Sequence, residues 1–221
     1  MNILYVYTAI AGGFNDGLGP IHIPIDPRGR SVRCVCFTDS IRLGPQGWEL
    51  RPLLSHSRND RLTARWHKIM SHRVLPEASL TIWHDGSHHL VSNPWRIVDQ
   101  CLSKQRTFAS FKHPDRNCTY EEANACIKLL KDHPDRLRMQ VDSYRQDGFP
   151  AHYGLLETSC VARVQNAEVA QINESWWQQV AFWSCRDQVS LPYVIWRSRF
   201  KHLGSIPGSR DKSAFFSFRP H

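Results

Sequence analysis

Three short hydrophobic runs along the chain have the length and the residue types of buried β-strands. They span residues 3–8, 31–38 and 79–83 and are rich in β-branched and aromatic side chains. Polar or glycine residues follow directly, as in Ala11-Gly12-Gly13, Asp39-Ser40 and His84-Asp85-Gly86. Because ligands of open α/β sheets bind outside the carboxyl ends of parallel strands, the pattern predicts an α/β fold with a polar site at one sheet edge.

Helical spacing of apolar residues fills the intervals between these runs. Residues 57–74 predict one helix, in which Arg61, Arg65 and Lys68 surround an apolar stripe. Asn93-Pro94 starts a second helix, Thr119-Tyr120-Glu121-Glu122 resembles a capping box that starts a third, and residues 136–146 predict a fourth. We therefore expect a single domain over residues 1–200. The polar tail over residues 201–221 is expected to form a lid or a docking segment.

Length and cysteine usage fit one intracellular enzyme domain. A chain of 221 residues with 41% hydrophobic content is long enough to bury a full core. Its seven cysteines are scattered and contain no CxxC pair, which favours reduced thiols and a cytoplasmic location. The N-terminal residues lack the pattern of a signal peptide, and no apolar run approaches the roughly 20 residues that span a bilayer. Any membrane contact is therefore expected to be peripheral.

The charge balance favours an anionic partner. The formal net charge is +8 and the isoelectric point is about 9.3, so nucleotides, diphosphates, nucleic acid and lipid surfaces are all attracted. The basic residues are scattered and form no run of five or six, the feature that marks a nucleic-acid tail. We therefore expect no nucleic-acid partner.

Asp85 is the sharpest candidate for chemistry, because an acid between a buried strand and a glycine lies where ribose or a divalent metal is held. Arg65 and Lys68 lie three residues apart and share a helix face that suits a diphosphate, although a solvated basic face has the same pattern. Asp39 follows the second strand and suits either a nucleotide contact or a helix cap.

Further candidates lie in the second half of the chain. Glu157 is an isolated acid, and Asp187 with Gln188 offers hydrogen-bonding groups to sugar hydroxyls. Trp177 offers a flat surface to a sugar ring, and only one of the neighbours Trp176 and Trp177 can face such a site on a helix. The chain has no GxSxG, Walker A or GxGxxG motif and no zinc-finger spacing, which disfavours serine hydrolases, phosphate-loop ATPases, dinucleotide oxidoreductases and zinc chemistry.

A set of short motifs carries a resemblance to a known family. The motifs are Val6-Tyr7-Thr8-Ala9 with Gly12-Gly13, Trp83 to Gly86, Tyr120 to Ala123, Gln140 to Tyr144 with Gly148, Gly154 to Glu157, and Ser184 to Pro192. Together they resemble, in the same order, the glycosyltransferase-like domain of plant mucilage-related proteins and its shorter bacterial and phage-type relatives. The resemblance covers about residues 3–195.

This resemblance implies a GT-A-like Rossmann-type sandwich with a mixed, mostly parallel central sheet. It implies a glycosyltransferase of polysaccharide biosynthesis, a hexosyltransferase in particular. The donor is a nucleotide sugar, foremost a UDP-sugar, and the acceptor a glycan or a lipid-linked hydroxyl. The expected donor-binding residues are Thr8, Ala9, Asp39, Arg65, Lys68 and Asp85. The expected substrate-binding residues are Trp177, Arg186, Gln188 and His113, and Asp187 or Glu157 is expected to orient or deprotonate the acceptor.

The resemblance also implies a divalent metal, Mn²⁺ or Mg²⁺. Trp83, Asp85 and Gly86 look like a shortened form of the Asp-x-Asp metal motif of such enzymes, and His202 resembles the C-terminal histidine that completes the site in related retaining transferases. Ser87 stands where the second aspartate would be, so an ion here needs further ligands.

Two other functional classes remain open at this point. A metal-dependent hydrolase of a lipid or glycan would use the same carboxylates around a water molecule. A non-catalytic basic binding module would need only the positive charge.

Overall fold

The computed structural model describes residues 3–12, 18–40, 46–57 and 59–218. Gly13 of the first predicted motif, Arg58 of the first predicted helix and the last three residues of the predicted tail lie outside these ranges.

Strands and helices alternate through most of the chain. The strands are β1 (Ile3–Ile10), β2 (Ser31–Thr38), β3 (Glu49–Pro52), β4 (Leu80–His84), β5 (His88–Leu90), β6 (Phe108–Lys112), β7 (Leu156–Val164), β8 (Leu203–Ile206) and β9 (Phe216–Phe218). The helices are α1 (Asp60–Ile69), α2 (Ser71–Val74), α3 (Trp95–Cys101), α4 (Thr119–Lys128), α5 (Pro134–Gln146), α6 (Ala167–Phe182) and α7 (Asp187–Arg197).

The central sheet has seven strands in the order β3-β2-β1-β4-β7-β6-β8. Strand β7 runs antiparallel to both its neighbours, β4 and β6, whereas the other neighbouring pairs are parallel. Strands β5 and β9 form a separate antiparallel ribbon. The predicted α/β fold with a mixed, mostly parallel sheet is thus confirmed.

Side chains alternate between the two faces of the sheet along each strand, and on both faces they pack against helices. On β1, Tyr5 and Tyr7 pack in one hydrophobic cluster with Trp176 of α6, and Leu4 and Val6 pack in a second cluster with residues of α3. No helix within the described ranges is long and apolar enough to cross a bilayer.

Local differences from the predicted elements have identifiable causes. The helix predicted over residues 57–74 is interrupted at Met70, whose ψ of 42° leaves the helical region and separates α1 from α2. The predicted capping box does not form, because Thr119 already lies inside α4 and Cys118 occupies the N-cap without a side-chain hydrogen bond. The Glu122 side chain instead accepts a hydrogen bond from Arg116.

Residues of the predicted tail take part in both sheets. Strand β8 is the edge strand of the central sheet, and β9 pairs with β5, the strand that follows Asp85. A Cβ atom on Gly204 would lie 2.5 Å from the backbone oxygen of Cys101 at the end of α3. Glycine is therefore the residue that allows β8 to pack against α3.

We expect Gly204→Ala to lower the free energy of unfolding by about 1–3 kcal/mol, because the added methyl group must displace a backbone carbonyl. Ser205→Ala on the exposed side of the same strand is the matched control and should change stability by less than about 0.5 kcal/mol. Urea unfolding of both variants measures the difference. Equal stabilities would show that β8 is not packed as described.

Candidate active site

A cavity of about 870 Å³ opens at the edge of the sheet where β4 and β6 end and β7 begins. Its volume is in the range of small-ligand sites. Because β7 is antiparallel, its first residues lie at the same edge as the carboxyl ends of β4 and β6. The other walls are formed by helices α1 and α4, the start of α7, and residues 113–116 and 209–212. The cavity therefore joins segments that are distant in the sequence.

Asp85 leaves β4 directly into this cavity. Its backbone N–H donates to Ser159 of β7 (2.8 Å), and its carbonyl accepts from His88 (2.9 Å), which closes a tight turn through Gly86. The indole Nε1 of Trp83 donates to Asp85 Oδ1 at 2.8 Å. The buried tryptophan thus fixes one carboxylate oxygen, and the side chain remains 31% exposed.

Arg65, Lys68, Asp85 and Asp187 form a charge cluster at the base of the cavity. Lys68 Nζ lies 2.6 Å from Asp187 Oδ2 and 3.4 Å from Asp85 Oδ1. Arg65 Nε lies 3.2 Å from Asp187 Oδ1, and Arg65 Nη1 lies 3.8 Å from Asp85 Oδ1. Thr158 Oγ1 accepts from Lys68 and donates to Asp187. The side chains of Lys68 and Asp187 are only 1% and 2% exposed, so this pair is enclosed by protein.

The core holds Lys68 in this position. Its backbone oxygen accepts hydrogen bonds from the Tyr7 hydroxyl (3.0 Å) and from Arg163 (3.1 Å), both fully buried. On the other side of the cluster, Trp176 Nε1 donates to the backbone oxygen of Asp187, the first residue of α7. The geometry of the charge cluster is therefore set by the packing of β1, β7 and α6.

Both carboxylates of the charge cluster are held in the charged form. Burial raises the pKa of Asp187, but Arg65 and Lys68 lower it by more, and the net pKa lies far below the ordinary value. The pKa of Asp85 is likewise lowered, because the attraction of Lys68 and Arg65 outweighs burial. Asp187 is therefore a weak proton acceptor.

Glu157 has the opposite electrostatic setting. It lies buried at the start of β7, lines the cavity and accepts a hydrogen bond from the backbone N–H of Arg210 at 2.9 Å. Burial raises the pKa of Glu157 above its ordinary value, and this effect exceeds the opposing hydrogen bonds from Ser159 and Arg210. A carboxyl group with a raised pKa suits proton transfer.

Basic side chains outnumber acidic ones around the cavity. Among the described residues, eight Lys or Arg and six Asp or Glu line it. Half of the basic residues face no carboxylate within 4.0 Å in the described part of the chain. We call these the unpaired basic group, and they are Arg61, Lys131, Arg186 and Lys212. Arg186 Nε is buried and has no hydrogen-bond partner among the described residues.

His113 lies in the wall after β6. Its Nδ1 accepts from the backbone N–H groups of Asp115 and Arg116, each at 3.2 Å, and its Nε2 faces Glu122 at 3.6 Å. Burial lowers the pKa of His113, and the nearby Glu122 opposes the shift. The histidine thus packs neutral against the loop, with its edge at the cavity.

Eight of the predicted site residues line this one cavity. They are Arg65, Lys68, Asp85, His113, Glu157, Arg186, Asp187 and Gln188. The structure does not bring the others there. Thr8 and Ala9 are buried within β1, and Asp39 is exposed and accepts a hydrogen bond from Gly12 N at 2.8 Å. Trp177 lines a different, shallow pocket with Phe182, and its neighbour Trp176 is core.

His202 is not part of the site. It immediately precedes β8, and its backbone oxygen accepts from Thr107 and Phe108 at the start of β6, whereas Asp85 follows the end of β4. Because β4 and β6 run in the same direction, the two side chains lie at opposite edges of the sheet. The prediction that His202 joins Asp85 at a metal is therefore wrong.

The described side chains do not fit a Mn²⁺ or Mg²⁺ ion at Asp85. Its Oδ1 is already shared by Trp83, Lys68 and Arg65, and a second carboxylate of the cluster, Asp187, is bound by the same two cations. Mg²⁺ requires six oxygen ligands in near-ideal geometry. We therefore assign no chemical step to a metal ion.

Sequence reasoning missed several residues of the site. Arg61 precedes Arg65 by four residues, so the i, i+4 spacing on α1 carried the signal for it. Lys131, Lys212 and Thr158 had no such signal, because only the folded chain brings their segments to the cavity.

The fold and the cavity define an α/β protein with a basic ligand site at the sheet edge, and sequence comparison identifies its family. The chain belongs to the TOD1/MUCI70 glycosyltransferase-like domain family, whose model matches residues 55–207. This result confirms the resemblance inferred from the sequence motifs.

Two known proteins illustrate the similarity. The "Probable hexosyltransferase MUCI70" of Arabidopsis thaliana is 29% identical over 136 residues, which cover 58% of this chain and 23% of the plant protein. The apo structure of the bifunctional glycosyltransferase WbbM has a similar fold, with a TM-score of 0.56 at 8% identity. That match covers 93% of this chain and 39% of the WbbM chain, so this chain spans less than half the length of either relative.

We expect Asp187→Asn to lower the free energy of unfolding at pH 7 by about 3 kcal/mol, because it leaves buried Lys68 with a weakened partner. The folded pKa of Asp187 is depressed, so its contribution is present above the unfolded pKa and is lost as the pH falls. The difference from the wild type should therefore shrink below about pH 4. Denaturant unfolding from pH 7 to pH 3 measures it.

Asp135→Asn is the control for this prediction, since it removes an exposed ion pair with Arg138. Its effect should stay below about 1 kcal/mol. A wild-type-like stability of Asp187→Asn at pH 7 would contradict the buried pair.

Proposed function

We propose that this chain is a glycosyltransferase that moves a sugar from a nucleoside-diphosphate sugar to a hydroxyl acceptor in this cavity. The observation that carries the proposal is the unpaired basic group, because these four cations line the cavity and none has a carboxylate of the described residues within 4.0 Å. Membership of a glycosyltransferase-like domain family supports the same activity.

The unpaired basic group binds the diphosphate and stabilises the leaving group. Negative charge grows on the diphosphate as its bond to the anomeric carbon breaks, and fixed cations around it lower the barrier most. Arg61 and Arg186 suit this role, because a guanidinium donates two parallel hydrogen bonds to phosphate oxygens. The enclosed Lys68 does not reach the donor in this proposal.

The charge cluster forms a rigid floor on which the substrate is positioned. Arg65 and Lys68, first expected to bind the diphosphate, are held by Asp85 and Asp187. In our proposal Asp187 is a positioning residue, and the partly exposed Asp85 accepts a hydrogen bond from a ribose or sugar hydroxyl. Gln188, half-buried beside Asp187, offers an amide to the same substrate.

Glu157 is the proton acceptor in this mechanism. The acceptor hydroxyl attacks the anomeric carbon, its proton passes to the Glu157 carboxylate, and the nucleoside diphosphate leaves with the bonding electron pair. The raised pKa of Glu157 supports this role over Asp187. A UDP-sugar carrying a hexose is the donor that the family resemblance favours, with a glycan or lipid-linked acceptor.

The activity is tested by incubating the protein with a panel of UDP-, GDP- and dTDP-sugars and by measuring nucleoside-diphosphate release with and without an oligosaccharide mixture. Release that rises with the oligosaccharides and yields a longer glycan supports the transferase. Cleavage of a glycan or lipid by water without any nucleotide sugar would instead indicate a hydrolase. Absence of nucleotide binding would exclude the proposal.

Arg186→Gln should weaken binding of the nucleoside diphosphate about 10- to 100-fold, which corresponds to loss of one charged hydrogen-bond donor worth about 1.5–3 kcal/mol. Isothermal titration calorimetry with the diphosphate measures the change. The control is Arg138→Gln on the exposed face of α5, which should bind like the wild type. Equal affinities of the two variants would remove Arg186 from the donor site.

Glu157→Gln should lower kcat by about 10²- to 10⁴-fold and leave the donor Kd within about threefold, because it removes a base and keeps the shape. In the wild type, the base must be deprotonated, so kcat should rise with pH through a pKa above 4.5. Steady-state kinetics between pH 4 and pH 8 give both results. A variant with unchanged kcat would exclude Glu157 as the base.

Removal of divalent metal ions with EDTA should leave the Kd of the nucleoside diphosphate within about threefold of the Kd measured in added Mn²⁺. The reason is that the ligand atoms around Asp85 do not suit a hard divalent ion. Calorimetry in EDTA and in Mn²⁺ compares the two. Binding that requires Mn²⁺ would show that the diphosphate brings its own ion and would contradict this reading of Asp85.

A further inference from the structure

A second cluster of potential ligand atoms lies outside the cavity, behind its wall. Cys118 is the N-cap of α4, Glu121 is in the first turn of that helix, and His152 lies in the loop between α5 and β7. One ligand atom from each residue lies within 4.8 Å of the other two. The sequence showed no zinc spacing because the fold, and not the local sequence, brings His152 to the helix.

The surroundings of His152 prepare its ring for a ligand. Its Nδ1 lies 2.7 Å from Asn117 Oδ1, an acceptor, so Nδ1 is the donor in this hydrogen bond and Nε2 is the ring nitrogen available to a ligand. A hydrogen bond to the second ring nitrogen is the usual way in which proteins orient a metal-binding histidine. Gly154 N also donates to the Asn117 backbone oxygen at 3.0 Å, so Asn117 forms hydrogen bonds with both His152 and Gly154 of the loop.

The backbone of His152 is itself unusual. Its φ is +56°, in the left-handed region that non-glycine residues rarely adopt. Such conformations cost free energy and concentrate at functional sites. The conformation places the exposed His152 beside the buried Cys118. Glycine would adopt this backbone conformation with less strain, but it has no side chain that could bind a ligand.

We propose that Cys118, Glu121 and His152 bind a zinc ion. A thiolate, an imidazole and a carboxylate are the ligands that Zn²⁺ prefers, and together they favour it over the harder Mg²⁺, Ca²⁺ and Mn²⁺. Glu121 and His152 are exposed, so a water molecule completes the tetrahedral coordination. The ion ties the start of α4 to the loop before β7.

The site stabilises the wall of the cavity. Asn117 directly follows Arg116, which lines the cavity. Glu122 lies one helical turn after Cys118 in α4, and its carboxylate accepts a hydrogen bond from Arg116. The ion therefore fixes this wall without touching a substrate. The proposal is independent of the transferase activity, because it needs only the three ligands and Asn117.

The test is zinc content after desalting, with affinity from titration against a chromogenic chelator. The wild type should retain one Zn²⁺ per chain, and saturation should raise its Tm by about 5 °C or more. His152→Ala and Glu121→Gln should lose the ion, and both residues are exposed, so the variants should fold. Asn117→Ala should bind zinc about 10- to 100-fold more weakly.

Matched controls separate this site from adventitious thiol binding and from the cavity. Cys185→Ser, His133→Ala and Asp85→Asn should each keep the full zinc content of the wild type. The proposal is overturned if the wild type retains no zinc, or if His152→Ala and Glu121→Gln bind it as tightly as the wild type. Loss of zinc from Asp85→Asn would place the ion in the cavity instead.

Discussion

The structure of the site depends on one buried ion pair, Lys68 with Asp187. Two charges removed from water are stable only when they compensate each other and their remaining hydrogen-bonding groups are satisfied. Asp187 also accepts a hydrogen bond from Thr158 and forms an ion pair with Arg65. Asp85 is the second carboxylate that both Lys68 and Arg65 contact. The pair links α1 to the start of α7, two of the elements that line the cavity.

The antiparallel strand β7 explains how this arrangement arises. A sheet with only parallel strands would place the start of each strand at the edge away from the ligand site. By running against its neighbours, β7 brings Glu157 and Thr158 to the edge where β4 delivers Asp85. One carboxyl group with a raised pKa and two with lowered pKa values then face the same cavity, which separates the base from the groups that hold charge.

The sequence predicted the parts of the fold that local patterns specify. The strands before Asp39 and Asp85 and the helix that carries Arg65 and Lys68 follow from periodicity, and the family resemblance is confirmed by the match over residues 55–207. Contacts between distant segments could not be read this way. Arg186 and Lys131 meet in the cavity only through tertiary packing, and His202 resembled a ligand although its segment builds the opposite edge of the sheet.

The sequence also could not show which basic residues form ion pairs with carboxylates. Arg65 and Lys68 have the spacing of a diphosphate site, yet their charges are compensated by two carboxylates from β4 and α7. The same uncertainty applied to Asp187, which was expected, as an alternative to Glu157, to orient or deprotonate the acceptor. Its enclosure by two cations makes it a positioning residue in the proposed mechanism, and Glu157 takes the chemical role.

A crystal structure with a bound nucleoside-diphosphate sugar tests the account most directly. We predict that the diphosphate oxygens lie within hydrogen-bond distance of Arg61 and Arg186, with the anomeric carbon facing Glu157 and the Lys68 to Asp187 pair intact. A donor bound outside this cavity, or a diphosphate that contacts Lys68 after displacing Asp187, would contradict it.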